Sequence, residues 1–344
     1  MPHYYPLKKL NTIERLRTTN NLLKLREQLD KDVPQKTATD NLLLATWNIR
    51  EFGNNRNPES LHYIAEIVSR FDLIAVQEVA ANLQGLQDLV SLLNLNWDYF
   101  VTDSTDGSAG GNERMAFIYD KSKISFKKMA GEIVLPKNKL INEGLQFART
   151  PYCIAFQANW FKFVLTTVHI YYGSTSGADM TKRVNEINAI TSFLAARARK
   201  EDTSYVLLGD FNIPKVKDKT MEALESNDFF VPAAIKEHPS DLGTTKHYDQ
   251  IAFNLKLDKN MTLFSEKEQK AGAFNFTKTV YSEKDVDIYK AYFPNNKVKG
   301  KTQDEILKYY LTYWRTFQMS DHLPLWVELK IDFSNQYLEK LKKN

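Results

Sequence analysis

One cysteine, Cys153, stands in 344 residues, so no disulfide can form within the chain. It lies in the apolar run YCIAFQAN, where a packed thiol is expected rather than a reactive one, and a reducing compartment suits it best. No apolar run approaches the roughly 20 residues of a membrane span, and the opening residues, MPHYYPLKKLNTIERL, lack the continuous apolar centre of a signal peptide. We therefore expect a soluble, cytoplasmic protein with no transmembrane segment. Charge of one sign is scarce as well. The 46 basic and 42 acidic residues leave only +4, too little to infer a nucleic-acid partner from bulk charge, although a local basic groove stays open. No repeat or low-complexity block stands out. What is present, 43% apolar and 12% aromatic residues, suffices for a full core, in one large α/β domain or two smaller ones.

Apolar residues at Ile13, Leu16, Leu22, Leu23, Leu25 and Leu29 predict an amphipathic helix over residues 11–31 that ends before Pro34. Its apolar face fits docking on the body of the protein and binding of a protein partner equally well. The chain divides into this helical leader (1–40), a main domain (41–333) and a C-terminal tail (334–344), the last expected as a short or frayed helix. From residue 42 strand-like runs (LLLATWNI, LIAVQEV, RMAFIYD) alternate with helical ones (PESLHYIAEIVSRF, NLQGLQDLVSLLNL), which argues an α/β fold. YCIAFQAN and FKFVLTTVHI follow each other with Asn159 at the turn, as in an antiparallel hairpin, so a mixed sheet is expected. A helix is read over 180–199. Residues 256–319 are too long for a connection; with two predicted helices (283–293 and 303–317), they should form an insertion or lid. The segment SAGGNE, 108–113, reads as a flexible loop whose glycines would let backbone approach a ligand.

Polar residues interrupt the ends of several apolar runs: Asn48 in TWNIR, Glu78 in AVQEV, His169 in TTVHIYYG, Asp210 and Asn212 in VLLGDFNIP, and Asp321 and His322 in SDHLPL. A hard divalent cation, Mg²⁺ with Mn²⁺ as its substitute, takes carboxylate, amide and water oxygens, often with only one or two carboxylates. Asn48, Glu78, Asp210, Asn212 and Asp321 supply those donors. Hydrolysis of a phosphodiester also needs a proton taken from water and one given to the departing oxygen, and an imidazole can do either. His169 and His322 are the candidates, with Glu113 and Asp249 as carboxylates to orient them. Arg114 and Arg149 could pair with phosphate oxygens. Tyr248, beside Asp249, reads as packing. The chain reads as a metal-dependent phosphoesterase.

The motifs TWNIR, QEV, NERMAFIY, FARTP, TVHI, GDFN, YDQI and SDHLPL run in this order across residues 42–331. In that order the chain resembles the exonuclease/endonuclease/phosphatase superfamily, with the deoxyribonuclease I-like fold. The resemblance implies a four-layer α-β-β-α sandwich of two mixed β-sheets, with metal and substrate at one edge. It also implies that Glu78 is the main metal ligand and that Asn48, Asp210, Asn212 and Asp321 surround metal and scissile phosphate. His322, oriented by Asp249, looks like the group that activates water; His169, paired with Glu113, looks like the acid or phosphate stabiliser. A histidine in the TVHI position is unlike the apurinic-site repair branch. Tyr248-Asp249-Gln250 departs from the phosphoinositide phosphatases, which carry cysteine and arginine there. NERMAFIY with FARTP looks most like the nuclease branch, in which Arg149 would touch the DNA backbone. The leader and the long stretch before Ser320 are departures from the family pattern.

The first reading is thus a Mg²⁺-dependent DNA endonuclease of low sequence specificity, with DNA placed ahead of RNA. The second keeps the chemistry on a phospholipid or small phosphate ester, sphingomyelinase-like, with Tyr171, Tyr172 and the Tyr289–Phe293 cluster read equally as membrane contacts or as core. The third is a catalytically silent binding module, disfavoured because no ligand or histidine has been lost.

Overall fold

The computed structural model describes residues 1–344 apart from 54–55, 105–110, 142–143, 259–260, 265–268 and 343–344; the first half of the loop expected at 108–113 therefore lies outside the described residues. One sheet contains β1 (Asn41–Phe52), β2 (Leu73–Val79), β3 (Trp97–Val101), β4 (Arg114–Asp120) and, from late in the chain, β10 (Ala271–Ala273) and β11 (Leu325–Lys330). Its order is β10-β11-β1-β2-β4-β3. The other sheet contains β5 (Ile124–Glu132), β6 (Tyr152–Ala158), β7 (Phe161–His169), β8 (Ser204–Asp210) and β9 (Asp249–Asn254), in that order. Both sheets are mixed: β1–β2 and β7–β8 are parallel, and the remaining pairs are antiparallel. The expected β6–β7 hairpin is present, and Asn159 turns it with φ +47°.

β1 explains the sandwich. Its run is buried on both faces, since Leu42 and Leu44 enter the core between the sheets while Leu43, Ala45, Trp47 and Ile49 face the helical layer outside. A strand covered on both sides has no position for alternating polar residues. Gln77, Thr46 and Thr167 are buried polar residues that satisfy one another: Gln77 donates to Thr167 Oγ1 of β7 (2.9 Å) and exchanges hydrogen bonds with Thr46.

α1 (Thr12–Asp32) is the leader helix; the Asn11 side chain caps it by accepting from the Glu14 N–H. Leu22, Leu25 and Leu29 bury one stripe of α1 in the outer layer, whereas Ile13, Leu16 and Leu23 stay exposed. α2 (Pro58–Val68) lies beneath it. Glu59 and Glu66 of α2, both buried, meet Arg17 and Arg26 of α1 at 3.0 and 3.3 Å. α3 (Gln84–Leu92) completes this side, and α4 (Gly177–Glu201), the helix read over 180–199, packs Ile187, Ile190 and Leu194 on the second sheet. The 256–319 stretch supplies β10 and is helical near both predicted places; from Phe274 onward it packs into the outer layer beside α1 and α2, where Tyr281 stacks edge-on to Tyr63 and Arg17 lies over Tyr289. Of the Tyr289–Phe293 cluster, Tyr289 and Phe293 are core residues, 1% and 7% exposed, and Tyr292 is 41% exposed. Cys153 is buried, and the tail forms a helix, Ser334–Leu341. Among the described residues no helix is long and apolar enough to cross a membrane.

Candidate active site

β1, β2, β7 and β8 end at one edge of the sandwich, where β4, β9 and β11 begin. That edge places the polar strand ends side by side. In the second sheet His169 is in register with Asp210, and Asp210 with Asp249. In the first, Asn48 pairs with Gln77 and the ladder then shifts, leaving Glu78 in a bulge with φ +59°. A left-handed backbone costs energy at a residue with a Cβ and redirects its side chain; here the Glu78 carboxylate accepts from the Glu51 N–H at 2.9 Å. Gly209 admits Asp210 to the row. Its φ is +136°, and a Cβ there would lie 2.1 Å from the Val168 carbonyl oxygen, so no larger residue fits.

The side chains form a line of alternating charge across a cavity of about 370 Å³. Arg149 forks onto Glu113, Nε to Oε2 at 2.9 Å and Nη2 to Oε1 at 3.2 Å. Glu113 Oε2 is also 3.0 Å from His169 Nδ1, off the line of a good hydrogen bond. His169 Nε2 stands 3.6 Å from Asp210 Oδ2, which stands 3.8 Å from His322 Nε2. His322 Nδ1 closes on Asp249 Oδ2 at 2.7 Å. Asp210 is thus held between two imidazoles, each backed by its own carboxylate. Burial alone would push both imidazoles down, but the carboxylates outweigh it: His169 is raised, and His322 is held well above the usual histidine range. Burial likewise would raise Asp210 and Glu113, and the neighbouring cations bring both below their ordinary values. Asp249 is raised by burial despite its bond to His322.

Asn48 joins the first sheet to this line. Its Nδ2 donates to Glu78 Oε1 (2.9 Å) and to Asp210 Oδ2 (3.0 Å), and its Oδ1 is buried with no partner. Among the described residues no three His, Cys, Asp or Glu side chains cluster as metal ligands. The donor set is instead a half-buried carboxylate, a buried amide oxygen wanting a positive partner, and open space. Those features fit a hard divalent cation that keeps its waters.

All but one of the residues anticipated from the sequence line this pocket or back it. Asn48, Glu78, Arg149, His169, Asp210, Asn212, Asp321 and His322 line it, Asp321 from the exposed rim; Glu113 and Asp249 stand behind the histidines. Asn212, at φ +53°, ties its N–H to Asp210 Oδ1 and its amide to the Ile170 carbonyl. Arg114 is the exception and a correction. It donates to the carbonyls of Ala81 (3.2 Å) and Thr102 (2.7 Å) and reaches the exposed Asp103, away from the pocket. Ser320 locks the last motif in place, donating to the Asn48 carbonyl at 2.6 Å and accepting from the His322 N–H at 2.9 Å.

Four contributors escaped the sequence reading. Tyr248, read as packing, lines the pocket with its ring centroid 5.5 Å from that of His322, and the exposed Tyr172 lines it too. Glu186 of α4 is buried and accepts from the N–H groups of Ala148 (2.8 Å) and Tyr171 (3.0 Å), so one carboxylate holds the loops that carry Arg149 and Tyr172. Arg183, one turn earlier and equally buried, donates to the carbonyls of Tyr171 and Gly173, both at 3.1 Å.

A family model described as the endonuclease/exonuclease/phosphatase family matches residues 45–258, more than half of the chain. A deoxyribonuclease of Thioalkalivibrio sp. (strain K90mix) is 28% identical over 187 residues, 53% of this chain and 49% of that protein. Deoxyribonuclease-1 of Bos taurus is 25% identical over 186 residues, 50% of this chain and 60% of that protein. The chain thus spans about half the length of the first of these relatives and under two thirds of the second. Among solved structures, a mannosyl-6-phosphatase of Bacteroides thetaiotaomicron superposes with a TM-score of 0.54 at 16% identity, over 84% of this chain and 99% of that one. At that identity the likeness is one of fold.

Proposed function

Because the chain belongs to the endonuclease/exonuclease/phosphatase family, we propose that it is a metal-dependent phosphodiesterase acting on nucleic acid. Its substrate is DNA ahead of RNA, cut internally with little sequence preference. One observation carries the reading: Asp210 lies between two imidazoles, each backed by a carboxylate, in a pocket that also presents Glu78 and the orphaned Asn48 oxygen. The 28% identity to a deoxyribonuclease favours nucleic acid over other phosphodiesters. Contacts to a backbone phosphate carry no sequence information, so low specificity follows.

Glu78 and the Asn48 oxygen would hold a Mg²⁺ ion, with Asp210, Asn212 and Asp321 around it and the scissile phosphate. Bound there, the ion would offset charge on the phosphate oxygens. His322, in the neutral form that its neighbouring carboxylates release only as the pH rises, takes a proton from water as the water oxygen bonds to phosphorus, and Asp249 stabilises the imidazolium so formed. On the other side of Asp210, His169 gives its proton to the oxygen that leaves as the old P–O bond breaks. Glu113 keeps the ring oriented, and Arg149, at the pocket wall, reaches a phosphate oxygen.

Supercoiled plasmid incubated with purified protein and Mg²⁺ tests the reading. We expect nicking that EDTA abolishes and that His322→Ala reduces by at least about 100-fold. A folded protein that leaves plasmid intact in both Mg²⁺ and Mn²⁺ would overturn the endonuclease assignment.

A further inference from the structure

The insertion carries a row of rings that the phosphodiesterase chemistry does not use and that Arg50, two residues after Asn48, connects to the site. Tyr309, Tyr313 and Phe317 recur every fourth residue on its last helical segment. Tyr309 and Tyr313 have centroids 5.5 Å apart with planes inclined by 25°, and Tyr313 and Phe317 follow at 5.7 Å and 34°. In a regular α-helix each four-residue step overshoots a full turn by about 40°, so three such rings would wind off the face. Here Tyr310–Trp314 forms a wider π turn, which takes up part of that drift and keeps the rings in line. π turns inside α-helices mark functional sites more often than chance.

The exposure of these rings separates them from core aromatics on the same turn. Tyr310 and Trp314 are buried at 0% and 7%, whereas Tyr313 is 48% exposed and Tyr309 and Phe317 are partly so. Cations lie on the row. The Arg50 guanidinium is 5.4 Å from the Tyr313 centroid and 5.3 Å from that of Phe317, and Lys297 Nζ is 5.3 Å from that of Tyr309. Arg50 also fastens the row to the site. It follows Asn48 by two residues, its N–H donates to Ser320 Oγ (3.3 Å), and its side chain donates to Thr316 Oγ1 (2.6 Å).

We propose that Tyr309, Tyr313 and Phe317, with Arg50 and Lys297, form a stacking track that leads unpaired nucleotides to the scissile phosphate, so that the preferred substrate is single-stranded or locally unwound. The inference rests on the nucleic-acid reading above. A base in a duplex is already stacked and offers only its edge, whereas an unpaired base presents a flat π face that any aromatic ring accepts. Neighbouring cations supply the matching charge for the backbone. A lipid headgroup or a sugar phosphate has no succession of flat rings to fill a row of three.

Binding without turnover tests the track separately from catalysis. The full chain, with no divalent metal added, is titrated with 2-aminopurine-labelled single-stranded DNA, with RNA of the same sequence and with the corresponding duplex, and the quench of fluorescence is read. We expect single strands to bind in preference to duplex. Tyr313→Ser should weaken that binding roughly five- to 100-fold, the range of one lost base-stacking contact, and Tyr313→Phe should keep it. Tyr313→Leu, apolar but without a ring, should behave as the serine variant does and covers any loss of fold in that variant. Equal binding of single strands by wild type, Tyr313→Ser and Tyr313→Leu overturns the track, as does equal affinity for duplex. If single strands bind through Tyr313 but no nucleic acid is cut in Mg²⁺, the track stands and the nuclease reading falls. Metal-dependent cutting of duplex with no Tyr313-dependent binding does the reverse.

Discussion

The outer layer and the pocket each bury histidine, and they drive it in opposite directions. His62, on α2, is 5% exposed, has no partner at Nδ1, and is pushed by burial alone down to about 4. His169 and His322 are 5% and 8% exposed, yet both are raised, because Glu113, Asp210 and Asp249 face them. Burial costs any of the three its charge. What makes a buried imidazole able to hold and pass a proton is the carboxylate that faces it, and the strand-end edge supplies Glu113, Asp210 and Asp249 in that position. Two residues of that edge, Glu78 and Asn212, also hold a left-handed backbone, as turn residues such as Asn159 and Asp202 do elsewhere.

Removing the carboxylate from His322 breaks the contrast most severely. Asp249→Asn leaves the ring as buried as before but with a neutral partner, close to the situation of His62. We expect turnover of plasmid to fall by about 10³-fold, some 4 kcal/mol of transition-state stabilisation. Because the two groups act as a unit, the double variant Asp249→Asn/His322→Ala should be no slower than His322→Ala alone. Additive losses in the two single variants would show that Asp249 acts apart from His322.

The contrast is sharpened from the other side by acid. In the fold His62 prefers to be neutral, with its pKa lowered from 6.5 to about 4, so the unfolded chain takes up that proton first. The stability that neutral His62 represents is complete above about pH 6.5 and is lost as the pH falls toward 4. The shift corresponds to roughly 3 kcal/mol. Urea unfolding at pH 7 and at pH 4.5 should show wild type losing more stability than His62→Gln by about 2 to 3 kcal/mol. Parallel losses in the two proteins would mean that His62 is protonated without cost in the folded state.

Much of the pocket was legible in the sequence because its residues break a rule. A strand end buried on both sides has little reason to carry Asn48, Glu78, His169 or Asp210 unless they meet one another. Tyr172 and Tyr248 break no rule, since an aromatic beside an apolar run reads as packing or as a surface contact; Tyr248, just before β9, meets His322 from late in the chain, a long-range contact. Glu186 and Arg183 were missed for the opposite reason, as charges on a helix read as solvated while both are buried and spent on loop backbone. In the leader, Leu22, Leu25 and Leu29 share one face, and counting Ile13, Leu16 and Leu23 with them blurred a stripe that docking on α2 makes narrow. The alternating runs carried the α/β class and the family resemblance implied the sandwich, but the insertion's place in the outer layer depended on long-range aromatic contacts that no local pattern carries.

The smallest expected effect concerns the two arginines that the sequence offered together as phosphate contacts. Arg149 lines the pocket and shares Glu113 with His169, so its charge belongs to the same line of groups as the catalytic candidates. Arg114 is spent on two backbone carbonyls and on Asp103, whose side chain is 86% exposed; an ion pair that open to solvent contributes little. Arg149→Gln should therefore lower kcat/KM on DNA by about tenfold, the loss of one hydrogen bond to a charged group. Arg114→Gln should change it by less than about twofold, because no phosphate contact is removed. Steady-state rates for the two variants, measured side by side at one salt concentration, decide the point. Equal losses would place Arg114 on the substrate's path after all, and the edge that gathers charge would then extend past the pocket along the start of β4.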